Sequence, residues 1–153
     1  MSSAERRVVD RYLPWTRIVS DRATNHGGRR VDLLEHAVGH REDLVLKQGI
    51  GMQGLQVVLG SDTDEAAWHT LIEEAARAGG SIIQEYVPAL PYSLPITPAV
   101  GELPHQTDVA PVFSPFLFGG RPAGIWARFH PAGRSGIVSR EGFGAMENAV
   151  VAV

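Results

Sequence analysis

With 153 residues, 44% of them hydrophobic and 20% charged, the chain has the size and composition of about one globular domain able to bury a core. A formal charge of −3 gives no reason to expect nucleic acid or an anionic membrane as partner, and the lack of cysteine excludes disulfides, thiolate metal sites and a Cys nucleophile. No apolar run approaches the ~18 residues that cross a bilayer, and MSSAERRVVDRY lacks the apolar centre of a signal peptide, so a cytoplasmic protein is expected.

In chain order, Ser2 followed by Glu5 forms a capping box for a first helix with Ala4, Val8, Val9 and Leu13 on one face, stopped by Pro14. PWTRIVSD is strand- or loop-like, and NHGGRR reads as a turn. RVDLLEHAVGHRED places Val31, Leu34, Ala37 and Val38 at helical spacing and predicts a short second helix. DLVLK and LQVVLGS are strand-like and flank the glycines of KQGIGMQGLQV. The clearest helix is DTDEAAWHTLIEEAARAGG, capped by Asp62 or Thr63 and ended by Gly79 and Gly80. SIIQEYV is another strand. Pro88 to Pro111 is proline-rich and predicts an extended loop or strand connection. VFSPFLFGGRPAGIWARF predicts two strands joined by a Gly-Gly-Arg-Pro turn, and REGFGAMENAVVAV a glycine-broken loop with an apolar end.

The glycine pattern Gly49, Gly51, Gly54 carries the functional question. A dinucleotide fingerprint needs a helix directly after the glycines, because the pyrophosphate sits on the helix N-terminus; Leu55 to Leu59 favour strand instead. GIGMQGLQV matches the protein-kinase glycine loop, but that family places its lysine on a strand after the loop, and no lysine follows Val57. H-R-D and D-F-G are absent too. A third arrangement puts the lysine first: LVLK, glycines, strand, helix, and a strand ending Gln-Glu-Tyr-Val. Glycine lets backbone amides approach phosphate oxygens closely, and Lys47 would meet them as a point charge. The bland alternative is a structural hairpin with an exposed lysine.

That order resembles the ATP-grasp small lobe. FSPFLFGGRPAGIWAR is similar to the PF-x-F-GG-R-x-AG-x-x-x-R stretch of circularly permuted ATP-grasp proteins, relatives of glutathionylspermidine synthetase. LPWTR, GRRVDLLEH and REDLVLKQG resemble the segments before that family's lysine strand, so the resemblance runs from about Ala4 to Val153. It implies an α/β (α+β) fold, mainly antiparallel sheet with flanking helices. Its parts would be an N-terminal helical segment (1–42), a glycine-loop small lobe with hinge (43–87), and a loop and β-hairpin segment (88–153).

The resemblance further implies that Lys47 contacts ATP phosphates, that Gly49, Gly51 and Gly54 close over them, and that Gln84, Glu85, Tyr86 and Val87 form the adenine hinge. Backbone groups there would bind the purine as an edge strand does, with an acid on the ribose. Arg128 would stabilise the phosphates or the acyl-phosphate leaving group. For Arg121 a solvent-facing turn residue is at least as good a reading. Met52 and Gln53 replace residues of the richer family loop G-x-G-G-K-G-V, which weakens phosphate contact. The family's Mg²⁺ ligands lie upstream of the matching segment. Glu141, Glu147 and Asn148 differ from them in spacing and position, so no metal ligand is assigned.

The expected activity is therefore the ATP-binding part of an ATP-dependent carboxylate–amine ligase using ATP and Mg²⁺, incomplete alone. Its alternative is a non-catalytic remnant acting as a nucleotide-binding or protein-interaction module. Either would expose a cleft face, so a homodimer or a separate chain carrying the missing half is the expected partner. His36 and His40 at i and i+4 have a zinc-compatible spacing but no H-E-x-x-H context or third ligand; a solvent-facing helix is expected. No G-x-S-x-G elbow is present. Trp68 and Trp126 suit core or interface packing, and Trp15 suits an anchor for the first helix.

Overall fold

The computed structural model describes residues 1–51, 56–97, 101–130 and 145–150. Two units emerge, Met1–Val87 and Pro88–Val153. The architecture is mixed, with three α-helices among the described residues and sheets that are antiparallel throughout the described pairs. Among the described residues no helix is long and apolar enough to cross a membrane.

The first unit opens with α1 (Ser3–Tyr12), whose Ser2–Glu5 capping box forms as expected, although none of its residues is buried. A four-stranded sheet follows, in the order β1 (Thr16–Ile18), β6 (Ser81–Glu85), β4 (Leu44–Gln48), β5 (Val57–Leu59). Because β1 pairs with β6, residues 1–42 are not a separate helical segment but supply one edge of this sheet.

Between β1 and β4 the chain makes a hairpin, β2 (Ala23–His26) and β3 (Arg29–Asp32), then α2 (Leu33–Gly39). Gly27 and Gly28 turn the hairpin with φ of 55° and 77°, as Gly119 and Gly120 do later at 56° and 77°; a two-residue turn that follows strand twist needs positive φ twice. Val31 therefore belongs to a strand opposite Thr24, and the second helix starts two residues later, on the Asp32 cap.

α3 (Glu65–Ala78) is capped by Asp64, not by Asp62 or Thr63, which belong to the short 3-10 turn and its exit. Trp68, Ile72 and Ala75 fall at i, i+4 and i+7, one helical stripe, and are buried. They meet Leu44, Leu46 and Ile83 from the sheet and Leu33 and Ala37 from α2 in one core. Strand alternation fixes the rest: Leu44 and Leu46 face the helices, so Val45 and Lys47 face the opposite side.

In the second unit, Pro88–Pro111 is more regular than its prolines suggest. It contains a two-stranded ribbon, β7 (Tyr92–Ile96) and β8 (His105–Val109). The other sheet has the order β11 (Met146–Val150), β10 (Arg121–Phe129), β9 (Val112–Phe118). Tyr92 and Phe113 join the two in an edge-to-face contact at 6.2 Å. The β9–β10 turn is Gly119–Gly120 alone; Arg121 and Pro122 already lie in β10, which bulges between Pro122 and Gly124.

Candidate functional site

Lys47 is the chain's only lysine. Its ammonium donates to the Gln84 side-chain carbonyl, and Gln84 Nε2 donates to Thr16 Oγ1 at 2.8 Å. Thr16 Oγ1 in turn donates to the Pro14 carbonyl at 2.9 Å. A polar row thus runs across β4, β6 and β1 on the face away from α3. Burial holds the Lys47 ammonium below its ordinary pKa. Among the described residues no carboxylate lies within ion-pair distance of it. A cation drawn partly out of water and met only by a neutral amide is a site of unbalanced charge.

The glycine segment leaves β4 beside this row. Gln48 N–H donates to Gln56 O at 3.3 Å and Gly49 N–H to Gly80 O at 2.8 Å, which pins the segment's start to the head of β6. A Cβ on residue 49 would sit 2.6 Å from that same Gly80 oxygen, so Gly49 is required by close backbone approach. Gly51 has ordinary space around it, near Gln48 and Gln56. Gly54 lies outside the described residues.

The hinge residues divide. β6 is not an edge strand: β1 and β4 flank it, Glu85 N–H donates to Trp15 O at 2.9 Å, and Tyr86 N–H to Asp43 O at 2.8 Å. Val87 follows the last strand pair and is 67% exposed. Gln84 shares the Lys47 face. Glu85, one residue on, points to the helix side, where its carboxylate accepts from Trp15 N–H at 3.1 Å and pairs with His26 Nε2 at 2.9 Å. The acid expected at ribose is committed to holding the N-terminal segment. Trp15 is the anchor its position suggested, with its indole N–H also donating to Asn25 O at 2.8 Å.

Around Glu85 lies a cluster that sequence spacing does not reveal. His26 and His36 have ring centroids 4.3 Å apart, His36 and His40 4.2 Å, and Trp15 meets His26 and His36 edge-on. His40 is exposed as expected, but His36 is only 8% exposed and belongs to the interior. The two ring pairs are tilted by 41° and 35°, and no group of three or more His, Asp or Glu among the described residues could hold a metal ion.

Acid should loosen this cluster. Burial, with His40 and His26 adding to it, holds His36 below its ordinary value of 6.5, so below about pH 6.5 the unfolded chain takes up the proton first and stability falls. Glu85 is held low mainly by the His26 hydrogen bond, against desolvation; its contribution is present above the ordinary carboxylate value of 4.5 and is lost as pH drops through the folded value. Both effects have one sign. Thermal unfolding should show the midpoint declining from pH 7 to 5, with a flatter slope in His36→Gln; parallel curves would refute the assignment.

Arg128 lies on β10 in the second unit, opposite Glu147 in register, with its guanidinium 4.9 Å from the Trp126 ring. Trp68 is wholly buried, whereas Trp126 is half-buried. No protein-family model, no curated protein and no solved structure matches this chain.

Proposed function

We propose that this chain is the ATP-binding component of a carboxylate–amine ligase of the circularly permuted ATP-grasp type, incomplete by itself. The observation that carries this reading is Lys47. It is a partly desolvated ammonium with no carboxylate partner among the described residues, on the sheet face away from α3 and beside the glycine segment. An arriving triphosphate would supply the missing counter-charge, and the glycine segment is proposed to add backbone donors. With Tyr86 N–H held by Asp43 O, the Tyr86 carbonyl and the Val87 backbone, beyond the last strand pair, are the groups proposed for the adenine edge, while Glu85 works behind the hinge as a brace. For Arg128, in the second unit, a role toward phosphate is proposed from the resemblance alone.

When bound, ATP supplies an activated phosphoryl group for making an acyl phosphate, which an amine then displaces. This chain's part is to bind and orient the nucleotide. The described residues offer no cluster fit for Mg²⁺, whose ligands are proposed to come from outside them, on a separate chain. A second reading, a nucleotide-binding or protein-interaction module without catalysis, is favoured by the apolar tip of the β9–β10 hairpin, where Leu117 and Phe118 are exposed.

Calorimetric titration with ATP, with and without Mg²⁺, tests the site. Lys47→Ala should weaken binding about 10- to 100-fold, the loss of one charge-assisted contact. Lys47→Met, which keeps the apolar stem, should show the same loss with unfolding little changed. Heat that is absent from the wild type, or unaltered in both variants, would end the nucleotide reading.

A further inference from the structure

A second cationic site lies on the helix-side face of the same sheet. Arg17 follows Thr16 in β1, so their side chains leave opposite faces, and Arg17 is turned away from Lys47. Its guanidinium is fixed: Nε donates to Thr24 Oγ1 at 2.8 Å, one terminal nitrogen to Thr16 O at 2.8 Å, and the other to Asn25 O at 3.1 Å. The Trp15 ring lies 5.0 Å from it. Those bonds use three of the five guanidinium N–H groups and leave two to donate.

Arg17, Arg22 and Arg30, with Ala23, Thr24 and Asn25, line one cavity of about 430 Å³. Arg22 makes a single long bond, 3.5 Å to Ile18 O, and Arg30 makes none within the described fold. No Asp or Glu lines the cavity, and among the described residues none of the three arginines has a carboxylate within 4 Å. Three guanidinium groups sharing one concavity without an acid repel one another, and an anion removes that cost.

We propose that this cavity binds the phosphate group of a small phosphorylated molecule. Arginine forks match phosphate oxygens in pairs, and three positive charges suit a dianion better than a single carboxylate. Arg17 is the preorganised member, held by β1 and β2; Arg22 and Arg30 close on the ligand from the hairpin. A nucleic-acid backbone fits less well, because the charge lies in a pocket rather than along a stripe and the chain is net acidic. The proposal is independent of the nucleotide reading, since the two sites occupy opposite faces.

The test is titration of the full chain with inorganic phosphate at fixed ionic strength, followed by amide resonances of residues 22–25 and 30. Parallel arms use acetate and a single-stranded oligonucleotide. Saturable shifts are expected that weaken at least tenfold in Arg22→Ala/Arg30→Ala, persist in Lys47→Ala, and are at least tenfold weaker with acetate. Both replaced arginines are exposed, and a charge-keeping Arg30→Lys variant should retain most of the binding. Equal response to acetate, no effect of the double replacement, loss in Lys47→Ala alone, or tighter arginine-dependent binding of the oligonucleotide would each overturn the proposal. ATP titrated into the double variant separates the sites: heat that remains there and vanishes in Lys47→Ala belongs to the nucleotide face.

Discussion

Replacing Trp68 by alanine should lower the stability of the first unit by about 3–5 kcal/mol, the range seen when a buried aromatic is truncated. Trp68 is fully buried on α3 and packs in the core formed with α2 and the sheet. Its indole N–H donates to Ala37 O at 2.9 Å, tying α3 to α2. Truncation removes the apolar surface, leaves a cavity and strands a buried carbonyl at once. Trp68→Phe should retain most of the packing and lose chiefly the hydrogen bond, about 1–3 kcal/mol. Denaturant unfolding measures both, and a loss under about 1 kcal/mol in the alanine variant would contradict this account of the core.

Gly60→Ala should be nearly as damaging, at about 3 kcal/mol or more. Gly60 is buried where β5 passes into the short turn before α3, and an added Cβ would lie 1.9 Å from the Arg41 carbonyl oxygen. Side-chain motion cannot relieve a clash with backbone. The strain falls where Arg41 clamps that turn, donating to Gly60 O at 2.8 Å and Thr63 O at 2.7 Å. Gly49→Ala, whose contact is 2.6 Å, should rank second, and Gly51→Ala should be mild. Unfolding midpoints in any other order would show that the close approaches are not what selects glycine here.

The glycine ranking shows what sequence spacing reveals and what it hides. The pattern draws attention to Gly49, Gly51 and Gly54, yet among the described residues the tightest packed glycine is Gly60, which no motif contains. Elements with local causes are legible: the Ser2–Glu5 box of α1, the glycine stop of α3, and the strand DLVLK that leads Lys47 into the glycines. Where several neighbours could cap α3, Asp62, Thr63 and Asp64, local chemistry did not choose among them. The prolines of Pro88–Pro111 predict an extended loop or strand connection because proline lacks a donor, and they do not specify the pairing; a two-stranded ribbon leaves half of each strand's amides unpaired, so Pro95 fits within β7. The Glu85–His26–His36 cluster was out of reach, since Glu85 and His26 stand 59 positions apart and meet only when β1 and the β2–β3 hairpin fold over β6.

The unburied first helix has a consequence for dynamics. A ten-residue helix has little stability of its own in water, and α1 adds no interior side chain to the unit, with Val8, Tyr12 and Leu13 all exposed. Its amides therefore exchange with solvent through local opening, at a free energy well below that of the sheet. Residues 3–12 are expected to open and re-form while β1 and β6 stay paired. The fraying stops at Trp15, whose amide and carbonyl are both tied to Glu85.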